Sequence, residues 1–319
     1  MTLRPPSGRV GRRGAILAWG SLALAWGCVA DGDSIPDAPA LRPVEALGVA
    51  GVETRLFSIE GLEGPEAVKY DAAQDVYFIS NFGPSDDPDA NDGYLSRVAA
   101  EDGAVEKLRW AVGDADRPLR EPRGMALAGD TLWVADVGGL HAFDPVTGTQ
   151  LDFVDLSALE PGFLNDVAAG PDGGIYVTDT SESRLIRLVG RTGIVVATGA
   201  SLGSPNGIVM EPLSGRLVLV PWEAGDDAIR IWDPVHRTLE IWARSPGGPF
   251  DGAEFSGLDL VVASQGDSAL HLVRGGAGQA FQKVAGRPAD IAFDSRRGRI
   301  AVPYIALDRV DVFPGPTVG

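Results

Sequence analysis

Residues 204–243 read SPNGIVMEPLSGRLVLVPWEAGDDAIRIWDPVHRTLEIWA. Four short apolar runs stand out: Gly207–Met210, Arg216–Pro221, Ala228–Asp233 and the segment TLEIWA from Thr238. Between them lie EPLSG, WEAGDD and PVHR, whose Gly, Pro and Asp content marks turns. The second run is apolar at nearly every position, the pattern of a strand buried on both faces rather than one. The stretch therefore predicts a four-stranded antiparallel meander that needs a neighbour on either side.

The same phrase recurs along the chain, a polar or charged residue followed after a turn by an apolar strand. Its key positions are Glu66, Arg123, Asn165, Asn206, Asp251 and Asp290, and the strands that follow are VYFIS, TLWVAD, GIYVTD, RLVLVP, LDLVVAS and RIAVP. A repeat of about 40 residues with four short strands is the signature of a β-propeller blade. Six repeats predict an all-β, six-bladed β-propeller with four antiparallel strands per blade. The last repeat stops after its third strand, DRVDVF, so the segment from Glu53 to Ile59 is expected to supply the missing outer strand and close the ring. The 42 glycines and 23 prolines, about a fifth of the chain, fit many tight turns and oppose long helices.

The N-terminus reads as a targeting segment outside the fold. Arg4, Arg9, Arg12 and Arg13 precede an apolar run from Ala15 to Trp26, too short to span a bilayer comfortably. It ends at Cys28, the single cysteine. This resembles a bacterial lipoprotein signal, in which the cysteine becomes the lipidated first residue. Ala25 and Trp26 stand where such signals carry Leu and a small residue, so ordinary cleaved secretion and a retained anchor stay open beside lipidation. The Arg12-Arg13 pair also leaves twin-arginine export open. The expected organisation is a signal over 1–28, a Pro- and Asp-rich tether over 29–50, and the propeller over 51–319. The protein is thus expected to be exported, periplasmic or extracellular, and to meet a membrane only through its lipid. With a net charge of −17 it is not expected to bind nucleic acid.

A polar residue repeated in register is placed by the fold at one end of every repeat, so the six positions can converge. The three histidines, His141, His236 and His271, fall in third strands or turns away from that ring, and no cysteine lies within the repeats. Zinc, copper, thiol and histidine-based chemistry are accordingly disfavoured. The segment from Asn81 to Gly93, NFGPSDDPDANDG, is an enlarged acidic loop expected on the same side as the ring. Its aspartates, Asp86, Asp87, Asp89 and Asp92, read as a solvated loop ahead of a further calcium site.

The segments LNDVAAGPDGGIYVTD, SPNGIVMEPLSGRLVLVP and PFDGAEF, in this order and spacing, resemble the senescence marker protein/gluconolactonase/regucalcin family of propellers. The likeness spans roughly residues 55–315. It implies a divalent cation, usually calcium, held in the central channel by Glu66, Asn206 and Asp251, with Asn165 nearby to hold substrate. Glu63-Gly64-Pro65 imitates the family's opening motif, but Glu63 is out of register. Glu66 precedes the end of its second strand at Ser80 by 14 residues, as Asn165 precedes Asp179. The donor chemistry is consistent, because calcium takes carboxylate, amide and water oxygens.

Arg123 could orient an anionic or carbonyl group and Asp290 could be an outer ligand; an ion pair between them is an equal alternative. The resemblance implies a calcium-dependent lactone or ester hydrolase of the gluconolactonase-like type, with Asp251 as general base. The site would leave room for a small-molecule substrate. Phe163 stands where the sugar-lactone enzymes carry an arginine, which suggests a less polar substrate. A non-catalytic propeller binding a ligand or protein partner at the cell surface is the alternative from a different class, and another metal-dependent reaction such as a lyase is a third.

Overall fold

A computed structural model describes residues 55–85, 87 and 90–316. The expected signal segment, Cys28 and the tether lie outside the described residues.

The described residues form four four-stranded sheets, one eight-stranded sheet made of two such meanders, and a two-stranded ribbon of Gly113–Asp114 with Arg117–Pro118, arranged as a β-propeller. Blade one comprises Pro65–Asp71, Val76–Asn81, Tyr94–Ala99 and Val105–Ala111. In blade two Met125–Ala128 is innermost, followed by Thr131–Asp136, Gly139–Phe143 and Gln150–Asp155. The inner strands of blades three, four and five are Leu164–Ala169, Pro205–Met210 and Phe250–Ser256. A single parallel bridge, Arg244 to Ala277, joins the outer strands of blades four and five. Blade six combines Ala292–Asp294, Arg299–Tyr304 and Arg309–Pro314 from the end of the chain with Phe57–Ile59 from its beginning. That early strand pairs Phe57 with Val312, Ser58 with Asp311 and Ile59 with Val310, closing the ring as the sequence leads one to expect. Ser58 Oγ reinforces the joint by donating to buried Asp311 Oδ1 at 2.6 Å.

Burial follows strand order. Val76–Asn81 and Leu217–Pro221 are buried at every residue, whereas the outer strand Val105–Ala111 is exposed over its first five. The second strands owe their continuous apolar character to two partners. In blade one, Tyr77 and Ile79 pack toward blade six with Ile59, Ala301 and Val312. Val76 and Phe78, on the opposite face, pack toward blade two with Met125, Leu132 and Val134. Comparable clusters fill each remaining junction between neighbouring sheets. The core is therefore a ring of interfaces rather than one central mass, and the axis is left to polar side chains.

Ile59, 1% exposed, carries much of the packing that joins the early strand to blades six and one. Ile59→Ala is expected to lower unfolding free energy by about 2–4 kcal/mol in urea titrations. A loss well under 1 kcal/mol would show that this strand does not hold the ring closed.

Candidate functional site

Four of the six inner strands are distorted at the polar position. The pairing register shifts between Pro65 and Ala67, Leu164 and Val167, Pro205 and Ile208, and Phe250 and Ala253. Glu66, Asn165, Asn206 and Asp251 are therefore bulge residues, freed from the regular alternation that would turn side chains toward neighbouring blades. Side-chain hydroxyls replace the missing ladder bonds. Ser80 Oγ accepts from Ala67 N–H at 2.9 Å, and Thr178 Oγ1 accepts from Asp166 N–H at 3.0 Å.

Adjacent inner strands also touch at these points. Asp290 N–H donates to Glu66 O, and Gly124 N–H to Asn165 O, both at 3.0 Å. The contact is close enough to require glycine. A Cβ on Gly124 would lie 2.3 Å from Asp166 Oδ1, and one on Gly252 would lie 2.3 Å from Asp290 Oδ1. The glycine after the polar residue thus admits the neighbouring blade's carboxylate.

Glu66, Asn165, Asn206 and Asp251 line one cavity of about 610 Å³ while being only 4, 5, 3 and 5% exposed. Its walls are Phe82, Phe163, Trp222, Tyr304 and the short 3-10 turn Ile305–Leu307. Gln265 Nε2 donates to Asp251 Oδ2 at 2.6 Å, and Asn165 Nδ2 donates to Thr180 Oγ1 at 3.1 Å. Asp251 Oδ1 and Glu66 Oε2 are buried without any hydrogen-bond partner. Two orphaned carboxylate oxygens in an apolar-walled pocket are costly unless something positive meets them.

The electrostatics express that cost. Burial, then repulsion from Asp251, pushes the Glu66 carboxyl well above its usual range, and Arg123 only partly opposes this. Burial, then repulsion from Asp166, raises Asp251 to about 7 despite the Gln265 hydrogen bond. Burial also drives Asp290 upward, with Asp166 adding to the effect. Among the described residues no three His, Cys, Asp or Glu side chains form a metal cluster on their own. The donor set here is two carboxylates and two amides, which fits a hard cation.

Two expected members of the ring sit differently. Arg123 does not line the cavity: Nη1 donates to Leu164 O at 3.0 Å, Nη2 pairs with Glu121, and the guanidinium lies 3.8 Å from the Phe163 ring centroid. Asp290 also lies off the cavity, its backbone bridged to Ala67 beside Glu66. Arg123 is paired with Glu121, so an Arg123–Asp290 ion pair is not what forms. Glu63 pairs with Arg109 at 3.0 Å, outside the main cavity. The acidic loop borders the same side: Phe82 lines the cavity, and Gly83, Pro84, Ser85 and Asp87 line an adjoining groove that shares Phe82, Ile305 and Ala306 with it.

Sequence reasoning missed Asp166. Its Oδ1 accepts from Val167 N–H at 2.6 Å and its Oδ2 from Ile208 N–H at 2.7 Å, linking blades three and four. Burial raises its carboxyl to about 7. The signal was present, since Asp166 stands where blades two, four and five have glycine. Also unanticipated is a pair deeper in the channel, Lys69 Nζ to Glu254 Oε1 at 2.5 Å, joining the inner strands of blades one and five. Burial alone would lower the Lys69 pKa, but Glu254 and Asp290 outweigh it and hold the amine charged.

The histidines stay away from the cavity. His271 Nδ1 lies 2.9 Å from Ser245 Oγ and Nε2 lies 3.1 Å from Asp267 Oδ1. Ser245 is fully buried and off the cavity, so this serine–histidine–carboxylate line is packing between blades four and five.

No family model and no curated protein sequence matches the chain. Solved structures do. A gluconolactonase from Xanthomonas campestris is 17% identical with a TM-score of 0.63, covering 82% of this chain and 92% of that one. A calcium-binding protein, regucalcin, from Agrobacterium tumefaciens is 16% identical with a TM-score of 0.56, covering 76 and 82%. Virginiamycin B lyase from Staphylococcus aureus is 11% identical with a TM-score of 0.55, covering 80 and 98%. The chain shares the β-propeller fold of these proteins.

Proposed function

We propose that the protein is a calcium-dependent hydrolase of lactones or esters. One observation carries the reading: two buried carboxylates with orphaned oxygens face, beside two amides, a cavity large enough for a small molecule. Glu66, Asn206 and Asp251 are the residues that would hold the cation, with Asn165 beside them. A hard divalent cation bound there would supply positive charge to a substrate carbonyl oxygen and to the negative charge that develops on it.

The remaining chemistry belongs to the chain. Gln265 fixes the Asp251 carboxylate through Oδ2, and that carboxylate would take the proton of the attacking water. Thr180 fixes the Asn165 amide by accepting from its Nδ2, which leaves Oδ1 as the acceptor side. Phe163, Trp222 and Tyr304 exclude water and favour an apolar substrate body. Arg123 acts indirectly in this reading, by bracing Phe163 and the Leu164 carbonyl.

Gluconolactonase and regucalcin as fold neighbours are consistent with this choice. The basic and apolar segment ending at Cys28 supports export with a lipid anchor as part of the same proposal. Cys28→Ala is then expected to move the protein from the membrane fraction to the soluble fraction after cell lysis. Equal partitioning of both forms would remove the anchor.

With calcium present, a panel of alkyl and aryl γ- and δ-lactones and esters should include turned-over substrates. Asp251→Asn should lower kcat by about a hundredfold or more with an unchanged circular dichroism spectrum. Absence of turnover across the panel defeats the hydrolase reading and leaves ligand binding as the function of the cavity.

Metal binding has its own pH signature. Carboxyls whose pKa is raised on folding stabilise the folded state below their unfolded pKa, near 4, and that stability is lost as pH rises through about 7. Chelator-treated protein should therefore melt at a lower temperature at pH 8 than at pH 5. Calcium needs the ionised carboxylates, so it should raise Tm more at pH 8 than at pH 5. An unchanged Tm on adding calcium at pH 8 would remove the cation from the site.

A further inference from the structure

Among the residues lining the cavity, only Glu66, Asp251 and Arg287 are charged. Glu66 and Asp251 lie buried at the polar ring, whereas Arg287 is exposed, on the connection between blades five and six. Its guanidinium makes no hydrogen bond and no ion pair with any described residue, although its charge acts on Asp251 and partly opposes the rise of that carboxyl's pKa. Other arginines on the same side are spent. Arg123 is held by Glu121, Leu164 O and the Phe163 ring, and Arg109 by Glu63 and the Tyr94 ring. Arg184 is bound to buried Asp179 at 2.6 Å. The cavity thus combines two buried carboxylates, an apolar wall and one exposed arginine that makes no salt bridge among the described residues.

Resting on the hydrolase reading of the same site, we propose that the substrate is an amphipathic anion. It is a lactone or ester with an apolar alkyl or aryl body and a carboxylate remote from the scissile carbonyl. The carbonyl goes to the Glu66–Asn165–Asn206–Asp251 ring, the body lies against Phe163, Trp222 and Tyr304, and the carboxylate meets Arg287. An arginine fork matches a carboxylate with two parallel hydrogen bonds, which a neutral amide cannot return. With the cation balancing Glu66 and Asp251, the chain's net charge of −17 still disfavours an anion, and Arg287 supplies the positive charge at the cavity that admits one. Arg287 is a specificity residue here and takes no part in the bond-breaking step.

Binding, not turnover, tests the idea, so it can fail or survive apart from the hydrolase reading. The probes are a naphthyl-substituted cyclopentanone with a terminal carboxylate, whose ring carbonyl cannot be hydrolysed, and its uncharged methyl amide. They are titrated by calorimetry into the calcium-containing wild-type protein. The carboxylate should bind roughly fivefold more tightly at low salt, and the preference should shrink as salt is added. Arg287→Met should abolish the preference while leaving amide affinity unchanged, and Arg287→Lys should keep part of it. Arg287 is exposed, so neither change is expected to disturb folding. Equal binding of the two probes, a preference that survives Arg287→Met, or no binding of either probe overturns the assignment. Turnover of uncharged lactones by the wild type without any carboxylate preference would sink this proposal and keep the hydrolase. A carboxylate preference without hydrolysis would do the reverse.

Discussion

Apolar packing on both faces of every second strand is the interaction on which the rest of the structure depends. A strand such as Val76–Asn81, buried at all positions, can satisfy Tyr77 and Ile79 only against one neighbour and Val76 and Phe78 only against the other. A sheet with two apolar faces cannot stop at an edge, so the sheets continue until the ring closes. Closure is completed by Phe57–Ile59, which lends the last blade its outer strand from the opposite end of the sequence. Once the apolar groups are committed to the junctions between blades, the axis is the place left for polar residues.

Closure brings several carboxylates into a small volume of low polarity. Glu66, Asp166, Asp251 and Asp290 all have raised pKa values, and burial is the leading cause for each. Nearby positive charge is only partial compensation. Lys69 is committed to Glu254 and Arg123 to Glu121, while two carboxylate oxygens at the cavity have no partner. Such an arrangement costs stability and persists where charge is needed for function. The backbone prepares it through bulges at Glu66, Asn165, Asn206 and Asp251, which interrupt pairing where side chains must face the axis.

Much of this was legible in the residues. The recurrent phrase located the inner strands, and its register chose Glu66 over Glu63, which lies outside the cavity and pairs with Arg109. The unequal fates of the six positions were not legible. Arg123 and Asp290 occupy the same place in the repeat as Asn206, yet they lie off the cavity because Arg123 is drawn to Glu121 and Phe163 and Asp290 pairs along blade one. Asp166 escaped notice because its carboxylate acts between blades, accepting Ile208 N–H from a strand 42 positions away. Arg287 lies outside the repeated phrase altogether, and only the path of its loop brings it to the cavity rim.

The sequence by itself determined the repeat, the antiparallel meander within each repeat, and which strands are buried on both faces. Those properties follow from local periodicity and turn chemistry, which act over a few residues. Tertiary structure alone decided which polar side chains share the cavity, which oxygens are left without partners and which arginine lines the cavity without a salt bridge. Those outcomes depend on contacts between blades far apart in the chain, where bulges, close backbone approach and competition for ion-pair partners select among residues that occupy equivalent places in the repeat.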